Sequence, residues 1–144
     1  MLQFYFLSVL LNMVTGLLLV FTADSTEQQD TPPLQDGTAR TLTTFLDGKN
    51  FRLVLGVLTV LVGLMKLLSV VQNDVPVVGD LIPAAAGLLG GFCILLEYYM
   101  ATATVEIVPA KFVETVFIKG RKFIGIFCIA AGLVHFIFPK VLFL

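Results

Sequence analysis

Four stretches at positions 1–21, 51–71, 81–100 and 123–144 are apolar almost from end to end, and this constrains the chain more than anything else in it. At 1.5 Å per residue the first covers about 31 Å, close to the roughly 30 Å hydrocarbon core of a bilayer. In hydrocarbon every backbone N–H must find its acceptor within its own segment, so each run is read as a helix. The first run is uncharged, and the second carries only Arg52 and Lys66. The third has Glu97 in its last turn, and the fourth holds His135, Pro139 and Lys140. Of all residues, 58% are hydrophobic and only 13% charged, against about a quarter charged in a soluble domain. The expected fold is all-α: a polytopic membrane protein forming one transmembrane domain, a four-helix bundle.

A net charge of -1 excludes a broad basic face for nucleic acid. Two cysteines and one histidine exclude a disulfide scaffold and a zinc cage, so no metal site is expected. Residues 22–50 form a polar loop, with 38–46 placed against the bilayer surface. Residues 101–122 form an interfacial connector in which Pro109 opens a short helix. Phe112, Val113, Val116 and Phe117 of that helix are expected to face lipid, and Lys111, Glu114 and Lys119 water. With four crossings both long loops share one side, which holds Arg40, Lys49, Arg52, Lys111, Lys119, Arg121 and Lys122. That bias puts the loops in the cytoplasm and both termini outside, in a plasma or inner membrane. Residues 1–3 lack the basic start of a signal peptide, and Phe21 is too bulky for a cleavage site at Ala23. An uncleaved first helix is expected.

A shift of 69 residues carries the second run onto the fourth, matching Arg52 with Arg121, Gly56 with Gly125, Gly63 with Gly132 and Lys66 with His135. The first and third runs align at a shift of 71, where Gly16-Leu17-Leu18 meets Gly87-Leu88-Leu89. Two tandem helical hairpins are inferred, related by a pseudo-two-fold axis along the membrane normal. Positions 52, 56, 59, 63 and 66 lie on one seam of a helix, as do 121, 125, 128, 132 and 135. Lipid gives helices no hydrophobic reason to associate, so close packing depends on such small-residue seams. Gly56, Gly63, Gly125 and Gly132 are therefore packing positions, facing a third run with Ala84, Ala85, Ala86, Gly87, Gly90 and Gly91.

Lys66 and His135 each follow their arginine by 14 residues, about 21 Å along a helix, so they sit at one depth in the outer half of the bilayer. Ionisable groups at that depth are functional candidates. Asp80 is the expected partner of Lys66; the plainer alternative is that Lys66 snorkels to the headgroups. His135 is read either as a proton relay or quinone donor, or as a neutral ring bonded to a neighbouring helix. Glu97 lies level with Arg52 and Arg121, and the three are expected to form a network. Asn12 is placed to bond between helices for about 1 kcal/mol. Cys93 and Cys128 share a depth and are read as packing residues. No hydrolytic set is present.

The segment Phe51-Arg-Leu-Val-Leu-Gly-Val-Leu-Thr-Val-Leu-Val-Gly-Leu-Met-Lys-Leu67 resembles the signature helix of DoxX-like small membrane proteins. Arg52, Gly56, Gly63 and Lys66 carry the likeness. The run Ala131-Gly-Leu-Val-His-Phe136 followed by Pro139 is similar to a variant of the same helix. The third run differs, bearing its Glu at the end. The resemblance implies a four-helix bundle, among relatives that serve in quinone-linked sulfur oxidation, redox-stress membrane complexes or receptor assembly. From the two glycine-lined seams, a first helix rich in Phe and Leu and the absence of a catalytic set, the chain is read as a non-catalytic subunit or assembly factor, with the bilayer and other membrane subunits as partners and no cofactor. The alternatives are a quinone-associated redox subunit using Lys66 and His135, and a small ion or solute transporter.

Overall fold

The chain folds as an all-α integral membrane protein. In the computed structural model, residues 2–27, 48–68, 81–105 and 108–138 are described. The elements are α1 (Leu2–Glu27), α2 (Lys49–Leu68), α3 (Leu81–Thr102), a short α4 (Lys111–Lys119) and α5 (Arg121–Ile137). Helices α1, α2 and α3 are each long and apolar enough to cross a membrane, while α4 and α5 form a bent pair. Residues 1, 28–47, 69–80, 106–107 and 139–144 lie outside the description, and with them the expectations for 38–46, Asp80, Pro139 and Lys140.

The helix ends depart from the apolar runs by a few residues. Helix α1 continues past Phe21 to Glu27, because Thr22–Glu27 contains neither Gly nor Pro to stop it. Pro83 sits in the first turn of α3, where a missing N–H leaves no intrahelical bond unmade. The fourth element is not one straight helix. Lys111–Val113 is α-helical, Glu114–Lys119 is π-helical, and a break at Gly120 turns the chain by 56° into α5. A Cβ on Gly120 would run into the carbonyl of Val116, so glycine is required at the bend.

The π turn also corrects the expected lipid face of the connector. Phe112 is exposed as expected, but Phe117 packs edge-on against Phe92 with ring centroids 4.9 Å apart. A π turn holds more residues than an α turn, so positions beyond it rotate out of α-helical phase. Phe117 turns inward as a result.

Packing is heaviest between α2 and α3 and between α1 and α5; α1–α3, α3–α5 and α1–α2 contacts are lighter. Both heavy contacts are made by glycine. A Cβ on Gly56 would meet Leu95 and the Gly91 carbonyl; one on Gly125 would meet Val20 and the Gly16 carbonyl. In return, Gly91 lies against Val60 and the Gly56 carbonyl, and Gly16 against Ile129 and the Gly125 carbonyl. Gly63 faces Ala84 and Leu88, while Gly132 faces Val9 and Met13. All four seam glycines therefore point at protein. These contacts repeat when α2 is shifted by 69 residues onto α5 and α1 by 75 onto α3, pairing Gly16 with Gly91. The shift of 71 expected for the first and third runs is four residues short of the one that repeats these contacts. Gly-Leu-Leu identity misled there, since register depends on which backbone atoms oppose each other.

Candidate functional site

The polar residues buried between the helices fall at three levels. Arg52 begins α2, Glu97 lies near the end of α3, and Arg121 begins α5, which places all three at one end of the bundle. Arg52 donates to Oε2 of Glu97 at 3.3 Å and Arg121 to Oε1 at 3.2 Å. One carboxylate thus joins three elements through charge-assisted bonds. By contrast, Lys119 and Glu114 pair at 3.0 Å in the open, within one short helix.

Halfway along, Thr15 of α1 and Thr59 of α2 share a hydrogen bond of 3.0 Å, and Thr59 also donates to the Leu55 carbonyl. Asn12 donates its amide to the carbonyl of Pro83 at 3.0 Å. The thiol of Cys128 donates to Ala86 O and that of Cys93 to Phe117 O, each at 3.2 Å, and both cysteines are free. Under the shifts that repeat the glycine contacts, Cys128 takes the place of Thr59 and Gly90 that of Thr15; the sulfur lies 2.6 Å from where a Gly90 Cβ would stand. The space bounded by Ser8, Asn12, Thr59, Pro83 and Gly87 admits no water-sized sphere.

At the far end Lys66 and His135 come together. Nζ of Lys66 lies 2.9 Å from Nε2 of His135, and the two residues are 3% and 1% exposed. Lys66 therefore does not snorkel. Its stem runs into the bundle because position 66 stays on the buried seam with Thr59 and Gly63. Tyr5 closes the group. Its hydroxyl donates to the His135 carbonyl at 2.8 Å, its ring lies 4.7 Å from the imidazole, and Lys66 Nζ stands 5.3 Å from the ring centroid.

A family model matches residues 1–135. An uncharacterized protein of Treponema pallidum (strain Nichols) is 34% identical over 146 residues, which span 100% of both chains. The chain belongs to their family. No solved structure matches this family member.

Among the family member's described residues, no group of three or more His, Cys, Asp or Glu side chains is placed to hold a metal ion. Every candidate from the sequence that lies in the described region is buried or half-buried within the bundle, and Arg52, Glu97 and Arg121 converge, as do Lys66 and His135. Tyr5 escaped the sequence reading. Its signal was depth: it stands four residues into an antiparallel helix, level with the end of α5, where His135 sits.

Proposed function

We propose that this protein is a non-catalytic membrane subunit or assembly factor, a rigid bundle that presents an apolar outer surface to lipid and to membrane partners. The observation that carries this reading is how the buried polar groups are used. Asn12, Thr15, Thr59, Lys66 and His135 each bond to another part of the same bundle, and the space among Ser8, Asn12, Thr59, Pro83 and Gly87 admits no water-sized sphere. Meanwhile Phe4, Phe6, Leu10, Leu17, Phe21 and Phe136 face outward. The chain is read as two tandem hairpins, supported by the glycine contacts that repeat at shifts of 69 and 75. The DoxX-like resemblance of α2 and α5 fits that layout. So does a topology with the bent pair as fourth crossing, long loops in the cytoplasm and both termini outside.

The test is solubilisation of the native membrane in a mild detergent. Migration well above the 15.7 kDa chain, with the same membrane protein retained in repeated preparations, is expected. A lone monomer overturns the reading.

A second reading, a quinone-associated subunit, is favoured by one observation: Lys66 and His135 place two nitrogen groups side by side at one depth. Quinone reduction by native membranes that is unchanged in a His135→Ala variant removes it.

A further inference from the structure

The 69-residue shift that carries Arg52 to Arg121 and Gly63 to Gly132 also carries Lys66 to His135. A two-fold rotation sends any atom to the opposite side of its axis, so an atom and its image are separated by twice the distance of either from the axis. Two equivalent residues therefore touch only where they flank that axis. Lys66 Nζ and His135 Nε2 are 2.9 Å apart. Arg52 and Arg121, the next equivalent pair along the same seams, both reach one carboxylate at the other end.

We propose that Lys66 and His135 form one axial pair, in which two equivalent positions meet as donor and acceptor and are interchangeable. This rests on the tandem-hairpin reading. A hydrogen bond between two nitrogens needs one donor and one acceptor. A charged lysine has three donors and no acceptor, so Lys66 is the donor of the pair. The Tyr5 ring favours the same assignment, because an aromatic face at 5.3 Å attracts a cation. Nε2 of His135 then accepts, and the ring hydrogen resides on Nδ1.

The divergence of the two positions follows from that arrangement. Identical lysines would set two ammonium groups against each other in a medium that screens them poorly. One lysine and one histidine let the copies meet, the first supplying charge and the second a lone pair. From α1 the pair is faced by Tyr5. The site is a built-in clasp between the halves.

The chain has a single histidine, so a full-length sample labelled with 15N-histidine in lipid nanodiscs reports on one ring. The expected spectrum is a neutral imidazole with Nδ1 protonated and Nε2 bare. Lys66→Met should shift both ring nitrogens; if that variant does not fold, Lys66→Arg supplies the comparison. Exchanging the residues (Lys66→His with His135→Lys) should leave the melting temperature near that of the parent and return the same neutral signature. His135→Lys alone, with two lysines, should melt far lower. A protonated Nε2 in the parent, or ring shifts indifferent to residue 66, overturns the pair and leaves the tandem hairpins standing. An exchange variant as unstable as His135→Lys, with the ring still responding to residue 66, overturns interchangeability and the hairpin equivalence behind it.

Discussion

The carbonyl of Gly125 lies 2.6 Å from the place where a Cβ of Gly16 would stand, so α1 and α5 meet backbone to backbone. A methyl group there has no space, and its obstacle is main chain, which cannot step aside. Gly16→Ala is expected to destabilise the bundle by about 1–3 kcal/mol. Gly91→Ala, with the Gly56 carbonyl at 3.0 Å and Val60 at 2.7 Å, should cost a similar amount. Gly87→Ala, whose nearest neighbour is at 3.3 Å, should cost less. Thermal melts in one detergent rank the three, and equal losses in all of them would contradict the close approach.

Glu97 sits between two guanidinium groups at the Arg52 end of the bundle. Glu97→Gln keeps the shape and removes the charge that Arg52 and Arg121 share in a half-buried setting. A loss of about 2 kcal/mol is expected. Glu114→Gln breaks the exposed pair with Lys119 and should change stability by less than about 0.5 kcal/mol. Denaturant titration of the two variants measures the difference directly.

Asn12 bridges α1 to the Pro83 carbonyl at the start of α3. Asn12→Leu removes that bridge and puts a bulkier apolar side chain into a space that holds no water. A loss of about 1–2 kcal/mol is expected, the bond accounting for roughly half. Asn12→Asp, which cannot donate when ionised, should fare worse in the same melting assay.

Cys93 and Cys128 are buried, and each thiol is engaged with a backbone carbonyl. A membrane-permeant maleimide should leave both unmodified in the folded protein and label both after denaturation. Mass spectrometry of the intact chain counts the adducts. Rapid labelling of Cys128 in the native state would mean that α3 and α5 part readily.

Legibility from sequence followed the physics that sets each feature. The spans were readable because hydrocarbon forces long apolar runs. The depths of Arg52, Glu97 and Arg121 were readable because helical rise is uniform. The seam glycines followed from the 3.5-residue period. What sequence could not supply was anything decided between elements. Gly-Leu-Leu strings suggested matching Gly16 with Gly87, whereas opposing backbones match it with Gly91. Lys66 rests its nitrogen on His135, 69 residues away, a meeting that no local pattern announces, while the expected Asp80 partner lies outside the described residues. Tyr5 carries no charge and sits among phenylalanines, so nothing local distinguished it. The inward turn of Phe117 depended on a π-helical stretch that no residue type announces.

The bend at Gly120 has a reach well beyond its own position. Helix α5 is a stiff rod, and Arg121 and His135 at its two ends lie on the same seam. Whatever angle the rod takes up as it leaves Gly120 is handed intact to the imidazole, about 21 Å away. One residue inserted at this hinge would rotate α5 by about 100°. That single step would unhook Arg121 from Glu97 and swing His135 away from Lys66, undoing both fastenings of the helix at once.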